Sequence, residues 1–566
     1  MKLFRKIQKW FENQENLYYL FLIILIVPNI VLCFTEPMPL VAKVCNVLLP
    51  FSIYHMIMSW SGNCGKTFWI LFPFLFFGAF QIVLLYLFGQ SVIAVDMFLN
   101  LVTTNPGEAL ELLDNLIPAI IIVVLLYIPA LVLAAVAVSE KRRLSETFVR
   151  RERKRARITV IAGILVAAYL FDARYELKSD LYPANVCYNI ALAFQRTAQT
   201  QHYAETSKDF TFQAKTTRPE KNREVYVMVI GETSRAANWS IYGYNRNTNP
   251  ELTKIKGLTA FSHVLTESNT THKSVPMLMS SVTAHDFNSI YRQKGIITAF
   301  KEAGYRTAFF SNQRYNHSFI DFFGKEADIC DFIKEDTGDG SYNPSDDELL
   351  KLVAAELAEN ASKQFIVLHT YGSHFNYRER YPADNAFFLP DFPVDAELKY
   401  KDNLINAYDN SIRYTDNFLA RLIRMLQEQD IDAAMLYTSD HGEDIFDDDR
   451  HLFLHASPVP SYYQIHVPFL VWMSDNYRKN YPDFLKNAEI NRQKNISSSA
   501  SFFQTMLELG GIDTPSRNDS LSVINASYTE KNRVYLNDHN EARSLNDIGM
   551  REEDFTMLQT KGIVYR

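Results

Sequence analysis

Apolar residues along this 566-residue chain are grouped in two different ways, and the change comes near residue 220. Before residue 140 they form four long runs, at 17–34, 40–60, 68–88 and 116–138. Each is long enough to span a bilayer core as a helix of roughly 20 residues. A fifth, shorter run at 158–171 spans only if its flanks are included. After Arg223 short β-rich runs take over: "VYVMVIG" (225–231), "TAFFSN" (307–312), "FIVLHTYG" (365–372), "AAMLYTS" (433–439) and "VPFLVWMS" (467–474). Helical patterns such as 346–361 and 402–429 lie between them. Strands alternating with helices predict an α/β domain, a mostly parallel sheet covered by helices.

Charge orients the first part. The segment "SEKRRLSETFVRRERKRAR" between the fourth and fifth runs holds nine Lys or Arg, while residues 89–115 between the third and fourth hold none. The N-terminus "MKLFRKIQK" is basic, and Lys66 sits between the second and third runs. Positive residues stay in the cytoplasm, so five spans with a cytoplasmic N-terminus are expected, and everything after about residue 172 is exported. A cleavable signal peptide does not fit, because the first run is too long and further spans follow it.

The predicted organisation is a transmembrane domain with five spans at 1–172, a connector at 173–222 and an exported domain at 223–566. The connector carries one apolar helical stretch around 186–194, of the kind that lies on a membrane surface. Of the five cysteines, Cys33, Cys45 and Cys64 fall in or beside the spans. Cys187 and Cys330 lie outside, either as one disulfide or as two free thiols. The only strong basic run is the topology-setting loop, so a nucleic-acid partner is not expected.

In α/β sheets ligands bind beyond the carboxyl ends of the strands. Glu232 follows "VYVMVIG", His374 follows "FIVLHTYGS", and Asp440 and His441 follow "AAMLYTS". Four metal-competent side chains thus converge on one sheet edge. Carboxylate and imidazole together suit zinc, and three protein ligands with an open position is a catalytic pattern. The segment "TESNTTHKSVPMLMS" (266–280) offers several hydroxyls, and a hydroxyl beside a metal becomes nucleophilic near neutral pH.

Seven motifs then make a specific resemblance. "VIGETSRAANWSIYGYNRNTNP" (229–250), "TTHKSVPMLMSS" (270–281), "LHTYGSHFNYRERYP" (368–382), "YDNSIRYTDNFL" (408–419), "TSDHGE" (438–443), "LFLHASP" (452–458) and "HVPFLVW" (466–472) resemble the bacterial phosphoethanolamine transferases. The resemblance implies an inner-membrane enzyme with a periplasmic domain of the alkaline phosphatase and sulfatase fold. It implies Glu232 of G-E-T, with Asp440 and His441 of S-D-H-G, as zinc ligands. Counting five residues back from Pro276 of S-V-P, it implies Thr271 as nucleophile and fourth ligand. Thr270 is the rival nucleophile, separated only by that count.

His374 of G-x-H and His455 of L-H are implied to hold the transferred phosphate or a second zinc. The implied donor is phosphatidylethanolamine, the by-product diacylglycerol, and the acceptor lipid A, core sugar or another envelope glycan. Asn238, Tyr242 and Tyr244 either border the head-group pocket or serve packing, and Asp409, Asn410 and Tyr414 buttress the site from a helix. His466 in "HVP" serves either the site or packing. His451 and 447–449 read as a solvated lip. Where several family members carry cysteines beside the nucleophile, this chain has "TESNTTHKS", so its rigidity must come from packing. The alternatives are a phosphoglycerol transferase of the lipoteichoic acid synthase type and a non-catalytic envelope scaffold.

Overall fold

The structure is a computed structural model and describes residues 9–36, 38–88, 92–98, 116–170, 175–219, 223–315, 317–334 and 343–565. They fall into two compact units, one up to Arg196 and one from Thr197 to the C-terminus.

The first unit is helical: α1 (Gln14–Thr35), α2 (Leu40–Met58), α3 (Cys64–Ile70), α4 (Phe72–Phe88), α5 (Ile117–Ser139) and α6 (Glu146–Tyr169), followed by α7 (Ala184–Gln201), which begins in it and continues past Arg196. Among the described residues three helices, α1, α2 and α5, are long and apolar enough to cross a membrane, and a fourth span results if α3 and the helix after it, bent by 61° at their junction, count as one. The expected fifth span is not among them. Although α6 has 24 residues, its first half carries the basic run. Only residues 158–169 are apolar, about 18 Å of helix against a core of about 30 Å. Phe171, and most of the stretch 89–115 that lacks Lys and Arg, lie outside the described residues. All five cysteines are free thiols.

The second unit is built on a seven-stranded sheet. Its strands are β1 (Glu224–Gly231), β2 (Leu258–Phe261), β3 (Arg306–Ser311), β4 (Ile329–Phe332), β5 (Lys363–His369), β6 (Asp432–Ser439) and β7 (Phe469–Met473). Their order is β2-β7-β6-β1-β5-β3-β4. The ladders from β6 through β4 are parallel, whereas β7 runs antiparallel to both of its neighbours. The sheet is therefore mixed, which the apolar run of β7 did not betray, because strand direction leaves no mark on a fully buried run.

β1 shows why these runs are strands. All eight of its residues are buried; Val225, Val227 and Val229 join one hydrophobic core and Tyr226, Met228 and Ile230 the other. That period of two lays a core on each face. The helices that contribute to these cores include α8 (Thr271–Leu278), α9 (Asp347–Ala358), α10 (Lys401–Gln427) and α11 (Ser498–Leu509). α10 and α9 feed the Val225 core, and α8 and α11 the Tyr226 core.

Candidate active site

Four neighbouring parallel strands, β6, β1, β5 and β3, end at the same edge of the sheet. Each delivers polar residues to one place. Glu232 follows β1, Asp440 and His441 follow β6, residues 370–374 follow β5 and Gln313 follows β3. Gly372 lets two of these loops meet: its φ is +53°, and a Cβ there would stand 2.6 Å from the Glu232 carbonyl oxygen. Only glycine tolerates both demands. The Ser373 amide then donates to that carbonyl at 2.9 Å.

Thr271 opens α8, with Thr270 as its N-cap. The loop before it is anchored by Asn269, whose side chain donates to the Ser457 carbonyl at 2.8 Å and to Gln464 Oε1 and accepts from the Tyr535 hydroxyl. The Thr270 hydroxyl is paired with Ser268 Oγ at 3.1 Å. The Thr271 hydroxyl instead lies 3.2 Å from Glu232 Oε1 and 3.1 Å from His441 Nε2. Register at the helix start thus separates the two threonines.

The ligand atoms of Glu232, Asp440 and His441 all lie within 4.8 Å of one another, and all three residues are buried. His441 Nε2 is 3.5 Å from Glu232 Oε1 and 3.2 Å from Asp440 Oδ2. Donors 2.0–2.1 Å from a tetrahedral zinc ion stand about 3.3 Å apart. With Thr271 Oγ1 added, the separations measured from His441 match that edge, and the oxygen and nitrogen donor set suits zinc.

His441, Asp440 and Glu232 are each held by a bond on the side away from the cluster. His441 Nδ1 donates to the Gly442 carbonyl at 2.9 Å, leaving the Nε2 lone pair available. Asp440 Oδ1 accepts from the amides of Thr233 (3.1 Å) and His441 (2.7 Å), leaving Oδ2 for the cluster. Glu232 Oε2 accepts from Gln313 Nε2 at 2.9 Å, while Oε1, which also accepts from the Thr233 hydroxyl at 2.8 Å, faces the cluster. Gln313 also donates to the Thr370 carbonyl at 3.2 Å and so ties β3 to β5 at the site.

The electrostatics call for a cation. Burial pushes the Asp440 carboxyl up to about 7. Burial, with Asp440 beside it, raises Glu232 as well. Burial also holds His441 below its ordinary value. The cluster alone prefers to shed its charge, and a divalent cation would reverse that preference.

His374 and His455 stand alongside. The His455 ring centroid is 4.2 Å from that of His441 and 6.0 Å from that of His374. His374 Nδ1 donates to the Phe375 carbonyl at 2.6 Å, and His455 Nδ1 faces Glu443 Oε2 at 3.3 Å. Burial holds His374 down at about 4 and lowers His455 too. Both keep Nε2 for another partner.

The remaining predicted residues support rather than touch the cluster. Asn238 Nδ2 donates to Asp409 Oδ1 (2.7 Å), and Asp409 Oδ2 accepts from the Tyr244 hydroxyl and Arg246. Tyr242 bonds the backbone of Phe469, and Asn410 holds the backbone of Phe387 and Phe388. Both ring nitrogens of His466 are engaged outside the cluster, Nε2 with the Ser262 carbonyl and Nδ1 with the Tyr462 hydroxyl.

Asp447, expected in a solvated lip, instead pairs with the buried guanidinium of Arg235 at 2.6 Å. Arg235 also donates to Asn238 Oδ1 and the Glu443 carbonyl. The Arg235–Asp447 pair leaves no mark in the sequence because its partners lie 212 residues apart. Gln313 went unnoticed because a lone uncharged residue after a strand carries no signal.

A model described as "Sulfatase" matches residues 224–512, more than half of the chain. One described as "Phosphoethanolamine transferase EptA/EptB" matches residues 63–198. The Kdo(2)-lipid A phosphoethanolamine 7''-transferase of Escherichia coli K12 is 32% identical over 304 residues, 51% of each chain. The chain spans about half the length of the curated relatives it matches.

Among solved structures, the integral membrane lipooligosaccharide phosphoethanolamine transferase A of Neisseria meningitidis superposes with a TM-score of 0.72 at 20% identity, covering 90% of this chain and 98% of that one. The periplasmic domain of Escherichia coli EptC in complex with Zn gives 0.55 at 24% identity, covering 60% and 97%. At these identities the two structures speak for the fold. With its sulfatase match across the second unit and its transferase match across the first, the chain belongs to the phosphoethanolamine transferase family, on a sulfatase and alkaline phosphatase fold.

Proposed function

We propose that this protein moves phosphoethanolamine from phosphatidylethanolamine to a phosphate or hydroxyl of an envelope glycolipid, through a covalent intermediate on Thr271. Lipid A is the acceptor we favour, by analogy with the relative named for it. The observation that carries the reading is the Thr271 hydroxyl at 3.1–3.2 Å from His441 and Glu232, at the first residue of α8. A helix N-terminus is a ready site for a phosphate.

Glu232, Asp440, His441 and Thr271 would hold zinc. When bound, the ion would lower the hydroxyl pKa and screen the two carboxylates. Thr271 Oγ attacks phosphorus, the bond from phosphorus to the glycerol oxygen breaks, and the proton lost from Thr271 ends on that oxygen, giving diacylglycerol. The acceptor oxygen then attacks phosphorus, its proton returns to Thr271, and the bond to Oγ breaks. His374 and His455, whose Nδ1 atoms are committed, carry Nε2 protons to the phosphoryl oxygens as negative charge builds there. An arriving phosphate favours that protonation.

The same reading takes residues 1–172 as the membrane domain, with five spans, 173–222 as connector and 223–566 as the periplasmic catalytic domain. The inner membrane, with the N-terminus in the cytoplasm, is the location it requires. Diacylglycerol release by the full chain in vesicles tests the donor. Release from phosphatidylethanolamine, lost in Thr271→Ala, is expected. Release from phosphatidylglycerol alone would make the protein a phosphoglycerol transferase, and release from neither by the zinc-loaded protein would leave the scaffold reading.

A further inference from the structure

Exposed large apolar side chains on the second unit are gathered in one place. Among the described residues from Thr197 onward six are exposed, and four of them, Phe387, Leu389, Phe392 and Leu398, lie in one loop. Phe387 is 58%, Leu389 66% and Phe392 68% exposed. A soluble surface scatters such residues singly, and a cluster marks a contact.

This loop is held by its backbone, so its display of apolar groups is built in. Asn410 Oδ1 accepts from the amides of Phe387 (2.9 Å) and Phe388 (2.8 Å). Asn406 Nδ2 donates to the Pro390 carbonyl at 2.7 Å, and Asn403 Nδ2 to the Pro393 carbonyl at 3.2 Å. Spaced by three and four residues, these asparagines share one face of α10. Asp391, between them, accepts from the Tyr381 hydroxyl at 2.7 Å and pairs with Arg378 at 3.0 Å. The backbone is pinned at four points while the Phe387, Leu389 and Phe392 side chains stay exposed. Beside them the Arg413 guanidinium lies 4.0 Å from the centre of the Phe387 ring.

We infer that residues 387–398 are a membrane-docking loop, whose Phe387, Leu389 and Phe392 enter the interfacial layer of a bilayer while Arg413 meets lipid phosphates. The occupant is a bilayer because the same chain carries at least three helices apolar enough to cross one, which keeps lipid at high effective concentration. Aromatic rings with an arginine alongside are the composition that settles at headgroup depth. The inference does not depend on the proposed reaction.

The test uses the full chain with its five cysteines replaced, reconstituted in vesicles of phosphatidylethanolamine and phosphatidylglycerol. Spin labels are placed singly through Phe387→Cys, Leu389→Cys, Phe392→Cys and, as control, Ile490→Cys, an exposed apolar site elsewhere on the unit. Relaxation by oxygen relative to a water-soluble nickel chelate reports depth. The expected result is a ratio severalfold higher at the three loop positions than at the control.

Ratios equal to the control overturn the inference. So does shielding of the loop labels from both reagents, which would mean a protein cover, with label–label broadening identifying a second copy. Independently of cysteine replacement, Phe392→Trp in the native background should gain fluorescence that brominated acyl chains quench, and absence of added quenching also overturns it.

Discussion

Asp447→Asn is the sharpest structural test. On a solvated lip this change costs at most about 0.5 kcal/mol, the usual range for a surface substitution. In the structure Asp447 Oδ2 accepts from Arg235 Nη1 at 2.6 Å and from the Ile445 amide at 2.8 Å. Arg235 is 3% exposed and packed over Tyr463, 4.7 Å to the ring centre. Removing the carboxylate charge leaves a buried guanidinium without its counter-charge, a change that costs about 3–5 kcal/mol.

Unfolding entropy of about 2.1 cal/mol/K per residue makes each kcal/mol worth about 1.3 °C in a unit of this size, so Tm should fall by about 4–6 °C. The assay is thermal unfolding of the detergent-purified full chain. Asp449→Asn, at an exposed neighbour, serves as control. Adding Arg235→Met to Asp447→Asn should return part of the loss, because the buried charge goes with it. A fall equal to that of Asp449→Asn would refute the buried-pair account.

Other outcomes rest on the same geometry. Gln313→Leu frees Glu232 Oε2 and should weaken zinc binding by about 10–100-fold, read by chelator competition; unchanged affinity would dismiss Gln313 as an orienting group. Thr270→Ala should keep the transfer activity that Thr271→Ala abolishes, measured as diacylglycerol release. Burial pushes the Asp416 carboxyl up to about 7, although it accepts from the amides of Glu251 and Leu252. Its folded value lies above the unfolded one, so the native state holds the extra proton, and stability contributed by this group falls as pH rises through that window. Asp416→Asn should therefore gain Tm relative to the native protein on going from about pH 5 to about pH 8; a gap that does not move would refute this. Stripping the metal with a chelator should lower Tm in the native protein but not in Asp440→Asn, and zinc should restore it.

Much of this site was legible because β1, β5 and β6 are continuous apolar runs, and their ends mark where Glu232, His374 and Asp440 must emerge. Thr271 needed a motif count, since the two adjacent threonines look alike in sequence and differ only in where α8 begins. Other features were illegible for physical reasons. β2 is four residues of alternating burial, too short to stand out from a loop. The pairs Arg235–Asp447 and Gln313–Glu232 join positions distant in sequence.

The asparagine face of α10 that holds residues 387–393 reads in sequence as ordinary helix polarity. The basic run between the fourth and fifth apolar stretches continues into α6, because arginine and lysine are good helix formers. The helix absorbed the charge, and the apolar remainder is too short to span unaided.

The central claim is that Thr271 carries the phosphoethanolamine group. The direct measurement is the intact mass of the zinc-loaded full chain, quenched after brief incubation with phosphatidylethanolamine, with tandem mass spectrometry of the peptide that contains Thr270 and Thr271. The account predicts one added phosphoethanolamine, located on Thr271 and absent from Thr271→Ala. An adduct on Thr270, or none on a zinc-loaded protein that still releases diacylglycerol, would contradict it.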